Sequence, residues 1–331
     1  MATVVVQQDK PDSFGLGVNE IYHGDCRDLL LKIEHDSIAC SVWSPPYFLG
    51  KQYESYLATF EDWKDLIRTV IRLHFGIIKP GCFLVINIAD ILCFDDPEMP
   101  KIQADNVDRR RSTITKEDVL KAKAEYPNYN RNALAAVLGC SEQTVDRRMN
   151  GNNIRGGKYA NQTRVKLLGG LVEQWGSEAG FYLYDRRIWM KDAAWENSKW
   201  ATLSYRAVDE FEYIYIFWKP GITTIRRDKL SSQEWSEWGS RAVWQIPSVR
   251  ANDDHEAKFP VELPRRVIEL FTNPADIVLD PFIGSGTTAE AAIIEGRRYI
   301  GIERSAEYVS LARKRVSQVA SRPTQMGLLD R

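Results

Sequence analysis

Histidine is scarce in this 331-residue chain, with four copies, and the five cysteines (Cys26, Cys40, Cys82, Cys93 and Cys140) form no Cys-x-x-Cys pair. That scatter excludes the usual zinc constellations and a disulfide framework, so a metal-free, reduced, cytoplasmic protein is the expectation. An excess of one charge is missing too: 44 basic residues face 45 acidic ones, a net charge of −1. Together with a hydrophobic content of 44%, this excludes a disordered polyelectrolyte and a chain coated throughout in positive charge. No apolar run approaches the ~18–20 residues of a membrane span. The start, MATVVVQQDKPD, lacks the basic-then-apolar order of a secretory signal. A Walker-type phosphate loop is absent, which removes support for ATP chemistry. There is no internal repeat or low-complexity stretch, and the length leaves room for about two domains of roughly 100–200 residues.

The near-neutral total conceals a segregation. Residues 101–170 hold fourteen Lys and Arg against seven Asp and Glu, a net +7, which leaves −8 for the remainder. A basic segment in an acidic body points to a polyanion-binding surface, because phosphate contacts supply most non-specific nucleic-acid affinity. A solvated face with excess charge is the bland alternative. Before the segment, 82–88 reads as a buried strand and 95–100, with its two prolines, breaks the pattern. After it, 165–175 reads as an amphipathic helix leading into a strand at 181–189. The organisation expected is one domain in two parts, 1–94 and 161–331, interrupted by a small helical domain at 95–160. The last ten or so residues read as a loose tail.

Two strand–helix units close the chain. Asp276-Ile-Val-Leu-Asp280 is a short apolar strand ending in an acid, followed by Pro281-Phe-Ile-Gly-Ser-Gly-Thr-Thr288 and a helical run to Glu295. Tyr299-Ile-Gly-Ile-Glu303 repeats the pattern before a helix over 305–319. Gly284 and Gly286 sit where a strand must turn sharply into a helix, and their missing side chains let a ligand approach the backbone. Glu303 follows Gly284 by 19 residues, near the ~20 at which an acid meets a ribose diol. The third glycine of a dinucleotide fingerprint is replaced by Ala289, and Pro-Phe follows Asp280, so the cofactor expected here lacks a pyrophosphate.

In the first third, Gly24-Asp-Cys-Arg27 opens a helix, and 37–43 reads as a strand that ends in Ser44-Pro-Pro-Tyr47. Consecutive prolines fix φ and remove two backbone donors, so the loop is stiff and offers carbonyls as acceptors. Such a loop suits an amino group on a flat ring. The Ser44 hydroxyl and the Pro45 carbonyl accept the amino hydrogens while Tyr47 stacks on the ring. A polyproline turn is the alternative for the tripeptide alone; its place behind a buried strand favours the chemical reading.

Ser44-Pro-Pro-Tyr47 combined with 280–288 resembles the amino-DNA methyltransferases that depend on S-adenosyl-L-methionine, and the order, catalytic loop first and glycines last, is similar to their permuted β group. Weaker matches in the same order are Gly24-Asp25, Lys79-Pro-Gly81, Phe211 to Lys219 and His255-Glu-Ala-Lys-Phe-Pro260. The resemblance implies a Rossmann-like α/β methyltransferase sheet, mostly parallel with one antiparallel strand. It implies that Ser44, Pro45, Pro46 and Tyr47 are the catalytic loop, and that Asp280, Phe282, Gly284, Ser285, Gly286 and Thr287 hold the methionine part of the cofactor. Glu303 would take the ribose hydroxyls, Asp25 the adenine amino group, and His255, Lys258 and Pro260 would pack over the cofactor. A leading serine resembles the cytosine-N4 enzymes, whereas Asp or Asn is commoner in the adenine-N6 enzymes; both targets stay open, with cytosine N4 favoured. The implied partner is double-stranded DNA, with any cognate restriction endonuclease acting separately and the enzyme a monomer or homodimer. Carbon-5 methylation needs a cysteine nucleophile, commonly presented after proline, and no Pro-Cys occurs. An exocyclic amine needs only alignment and stabilisation as its nitrogen becomes tetrahedral, without a metal.

Residues 131–149 resemble the helix-turn-helix of many DNA regulators. Ala135 lets two helices cross closely, Gly139 permits the turn and Val145 packs back on the first helix. Ser141 is a good N-cap, and Gln143, Thr144, Arg147 and Arg148 are the candidate DNA contacts. Arg148 departs from the pattern, where an apolar residue is usual and Met149 is the expected substitute. An ordinary helical hairpin is the alternative. Because 221–252, where the β group usually reads its target, is short, the reading is expected to be shared between the insert and 235–250. The sequence thus reads as a site-specific DNA methyltransferase. Its rivals are a DNA-binding regulator with an inactive methyltransferase core, against which the intact loops speak, and an RNA methyltransferase, against which the helix pair speaks.

Overall fold

Apolar runs bounded by prolines, glycines and acids become strands of one eight-stranded sheet. The computed structural model describes residues 15–48, 56–95, 113–149, 163–192, 210–226, 228–249 and 259–321. His255, Lys258, Arg250 and the expected tail beyond 321 lie outside them. In chain order the elements are β1 (Glu20–His23), α1 (Cys26–Leu30), β2 (Ile38–Trp43), α2 (Phe60–Ile77), β3 (Ile78–Ile88), β4 (Ile91–Asp95) and α3 (Lys116–Glu125). Next come α4 (Arg131–Val137), α5 (Glu142–Met149), β5 (Thr163–Lys166), α6 (Gly169–Ala179), β6 (Tyr182–Met190) and β7 (Phe211–Trp218). Then α7 (Ser232–Glu234) runs into a π turn at Trp235–Gly239, followed by β8 (Val243–Gln245) and α8 (Glu262–Phe271). The chain closes with β9 (Ile277–Asp280), α9 (Thr287–Ile294), β10 (Arg298–Glu303) and α10 (Ala306–Ala320).

Two units emerge: one of the described residues up to 91, from 167 to 192 and from 210 onward, the other of those between 92 and 166. The first holds the sheet, in the order β1-β10-β9-β2-β3-β7-β6-β8. The pairs β1/β10, β10/β9, β9/β2, β2/β3 and β6/β8 are parallel, and β7 is antiparallel to both β3 and β6. A mostly parallel sheet with one antiparallel strand is therefore what forms. Every residue of β2 is buried, as a central parallel strand covered on both faces requires. Over the sheet, α2 starts at a Thr59–Asp62 capping box and buries Trp63, Leu66, Ile67, Val70, Ile71 and His74.

Lys79-Pro-Gly81, expected just before a strand, lies inside β3. There the register with β2 jumps from Ile38 opposite Ile78 to Cys40 opposite Phe83. Pro80 gives the ladder no donor, and Gly81 adopts φ +81°, where a Cβ would meet the Ile222 carbonyl oxygen at 2.1 Å. A bulge accommodates both. The helix expected over 165–175 divides instead between β5 and α6, because β4 offers 163–166 a strand partner that local periodicity does not contain.

In the second unit β4 and β5 pair as a two-stranded sheet. Val119, Ala122, Leu134, Ala135 and Val145 form a small core for α3, α4 and α5, with Ile114, Tyr126, Leu138, Cys140 and Met149 packed against it. Among the described residues, no helix is long and apolar enough to cross a membrane. No group of three His, Cys, Asp or Glu side chains there could hold a metal ion.

Candidate active site

β9 and β2 are neighbours in the sheet although they come from opposite thirds of the chain. They run the same way, so the loops leaving their carboxyl ends, at 281–286 and 44–47, emerge side by side. In open α/β sheets the crevice beyond those ends, at the switch in strand order, is where ligands bind. Here it is a cavity of about 530 Å³. Ser44, Pro45, Pro46 and Tyr47 line it together with Asp25, Phe282, Gly284, Ser285, Thr287 and Glu303. Asp25 and Glu303 arrive from the neighbouring parallel pair, in which His23 lies opposite Glu303. Asp280, Gly286 and Pro260 are not in the lining, though Phe259 is.

Asp280 braces the glycine-bearing loop from behind. Its Oδ1 accepts from the Phe282 N–H at 2.9 Å, its Oδ2 from the Thr288 hydroxyl at 2.6 Å, and burial pushes its carboxyl up to about 7. Gly286 adopts φ +92°, and a Cβ there would stand 3.0 Å from the Ala312 Cα. It therefore shapes the turn and lets α9 lie against α10. Arg315 Nη1 donates to the Thr287 hydroxyl at 2.6 Å.

Glu303 accepts the Gly284 N–H at 3.0 Å on Oε2 and the Ser305 N–H at 2.7 Å on Oε1, and burial pushes its carboxyl up. Each oxygen keeps a lone pair for a further donor, as a diol would need. Asp25 caps α1 and takes both Arg27, by backbone and guanidinium, and Arg304 Nη1 at 2.9 Å. Hydrogen bonds from Arg27 hold its carboxyl below the usual range. Arg304 also lies over the Tyr56 ring at 4.3 Å, and both residues line the cavity. Neither was legible as a site residue. The cavity thus joins a diol acceptor, aromatic faces and exposed loop backbone, a set that fits a nucleoside-bearing cofactor such as S-adenosyl-L-methionine.

On the other wall, Trp63 Nε1 donates to the Pro46 carbonyl at 2.6 Å and pins the Pro-Pro loop to α2. The Tyr47 hydroxyl donates to Glu212 Oε2 at 3.0 Å and accepts from the Ala89 N–H at 3.0 Å. Burial, then the Glu212 charge, pushes the phenol well above its ordinary range. Glu212, Asn87 and Trp189 also line the cavity and were missed by sequence reasoning. The signal that finds them is topological. Because β7 is antiparallel, it begins at the edge where β3 and β6 end, with Tyr213 opposite Ile88 and Glu212 opposite Trp189.

In the second unit, Gln143 and Arg147 are exposed on α5 and Thr144 is half-buried. Ser141 Oγ accepts from the Thr144 N–H at 3.3 Å, the cap expected. Arg148 Nε donates to the Ile114 carbonyl at 2.7 Å while Met149 packs on the core, so the unusual arginine ties α5 to the chain entering α3. The other candidate reading segment, 235–250, belongs to the sheet unit, and its Trp238 and Trp244 are buried. Arg187 Nη1 donates to the Gly239 carbonyl at 2.9 Å and stands 4.9 Å over the Trp244 ring, while Arg266 lies 5.3 Å over Trp238.

Residues 38–314 match the profile of a DNA methylase family, N6_N4_Mtase. Over 298 residues, 90% of this chain and 85% of its relative, the sequence is 57% identical to the type II methyltransferase M.BglI of Bacillus subtilis. The fold is similar to that of the DNA modification methylase TTHA0409 from Thermus thermophilus complexed with S-adenosyl-L-methionine, with a TM-score of 0.59 and 24% identity over 92% of this chain and 95% of that one. It is also similar to the cytosine-N4-specific PvuII DNA methyltransferase, with a TM-score of 0.55 and 19% identity over 93% and 92% of the two chains. The chain belongs to the N6/N4 DNA methylase family, the S-adenosyl-L-methionine-dependent enzymes that methylate amino groups in DNA.

Proposed function

We propose that this enzyme methylates the N4 amino group of a cytosine flipped out of a specific duplex DNA sequence. The observation that carries the reading is Ser44: a neutral hydroxyl, not a carboxylate, heads the Pro-Pro-Tyr loop in the same cavity as Glu303. When bound, S-adenosyl-L-methionine supplies an electrophilic methyl group on a sulfonium sulfur. Glu303 would accept the ribose hydroxyls, and Phe282, Gly284, Ser285 and Thr287 would frame the remainder. Ser44 Oγ and the Pro45 carbonyl accept the amino hydrogens and so orient the nitrogen lone pair. The hydroxyl of Tyr47, held from two sides, fixes the plane of its ring for stacking. Cys26 lines the cavity, but burial pushes its thiol up to about 12, which leaves no thiolate for attack on a ring carbon.

In the insert, Gln143, Thr144 and Arg147 would read base edges from the major groove, with Arg148 holding the helix that carries them. The setting proposed is modification of DNA in the cytoplasm, protecting it from a separately acting restriction endonuclease. Incubation with duplex DNA and cofactor, followed by digestion to nucleosides and mass spectrometry, tests the target. N4-methylcytosine is the expected product. N6-methyladenine would transfer the same site to adenine, and no methylated base at all would sink the reading.

A further inference from the structure

The hydrogen bonds behind the catalytic loop have a direction, and a carboxylate sets it. An ionised carboxylate only accepts. The Tyr47 hydroxyl must therefore give its single proton to Glu212 Oε2 at 3.0 Å. The Ala89 N–H can only donate, and it reaches the same hydroxyl at 3.0 Å. One acceptor position remains on Tyr47 Oη, and Ser44 Oγ donates into it across a long 3.5 Å. With its only proton aimed at Tyr47, Ser44 Oγ has lone pairs alone to offer the cavity. Burial keeps the phenol protonated, so the chain does not reverse. Glu212 is itself held: Asn87 Nδ2 donates to Oε2 at 2.5 Å and Lys191 Nζ to Oε1 at 2.9 Å, with the glutamate side chain 13% exposed.

We propose that Glu212 is a positioning residue which, through Tyr47, fixes the Ser44 hydroxyl as an acceptor and so selects a base that presents an amino group over one that presents a carbonyl. The inference rests on the methyltransferase reading above. A free serine hydroxyl rotates and serves donors and acceptors alike. Held by this chain, it meets a carbonyl oxygen lone pair to lone pair. Glu212 lies 165 residues from Tyr47, and only the antiparallel course of β7 brings the two together.

Glu212→Leu tests it, because it removes the acceptor that takes the Tyr47 proton and frees that hydroxyl to donate to Ser44 instead. Tyr47→Phe breaks the same chain at its centre. Both variants, and the double variant, should lose about tenfold in kcat, the loss that accompanies one hydrogen bond, without multiplying. Cofactor affinity by calorimetry should stay at the wild-type value. A second readout is duplex binding, with the target base compared against its carbonyl counterpart (uracil for cytosine, hypoxanthine for adenine). Wild type should prefer the amino base, and the preference should shrink severalfold, equally, in both variants. An unchanged preference, kcat within twofold of wild type, or losses that multiply in the double variant would overturn the inference. If Glu212→Leu does not melt as a folded protein, Tyr47→Phe decides on the same two readouts. A wild-type enzyme that methylates no base removes the parent reading and this inference with it, an outcome distinct from active wild type with unaffected variants.

Discussion

The cavity at the end of the sheet and the helical unit hold their candidate functional groups in opposite ways. In the cavity, positions follow from strand direction, and the carboxylates are bound to backbone N–H groups, guanidiniums or a phenol. In the insert, Gln143 and Arg147 stand exposed on a helix supported by a five-residue core. The cavity is preorganised, so single changes there should alter the rate or the cofactor affinity. If the exposed side chains of the insert read bases as proposed, changes there should alter which sequence is chosen.

The sharpest way to break that contrast is the loop. Ser44→Ala should lower methyl transfer by on the order of 10²–10³-fold, as for other lost active-site hydrogen-bonding groups, with folding and cofactor binding intact. Single-turnover rates near wild type would remove the loop from the chemistry. Next comes the buried acid. Burial holds Asp280 at about 7 against an ordinary 3.8, so the folded state binds its proton more tightly than the unfolded state. Its contribution to stability is complete below pH ~4 and is lost as the pH rises through about 7. Asp280→Asn removes this dependence. Its urea-unfolding stability relative to wild type should therefore rise by on the order of 2–4 kcal/mol between pH 4.5 and 7.5, and a constant difference would contradict the assignment.

Glu303→Ala should weaken cofactor binding by roughly 1.5–3 kcal/mol, the worth of hydrogen bonds to a charged acceptor. Calorimetry showing equal affinity would displace Glu303 from the ribose. The smallest effect belongs to the insert. Gln143→Ala with Arg147→Ala should erode discrimination against single-mismatch duplexes by about 1–3 kcal/mol per base contact, at fixed salt and unchanged cofactor affinity. Equal specificity in variant and parent would make the helix pair structural and turn attention to 235–250.

What could be read from the sequence is what local chemistry determines. The strands ending at Trp43, Asp280 and Glu303, the stiff Pro-Pro loop, the glycine turn and the Ser141 cap each depend on residues close together in the chain. The direction in which a side chain points was not legible. Asp280, expected at the cofactor, also braces the loop by two hydrogen bonds, and Gly286, expected there too, also governs a turn and a helix contact. Arg148 stands in a conventional apolar place because a backbone carbonyl from before α3 receives it. Glu212 escaped notice because its partners come from three other segments that meet only once β7 runs backwards between β3 and β6.

Trp43 closes β2 with no solvent exposure, its Nε1 has no hydrogen-bond partner among the described residues, and its ring meets that of Phe282 edge-on at 5.4 Å. An indole so dry emits at the blue end of tryptophan fluorescence, and its neighbour Phe282 forms part of the cavity wall. Trp43 thus stands one ring away from the cavity, behind Phe282, and nine further tryptophans share the chain's emission with it.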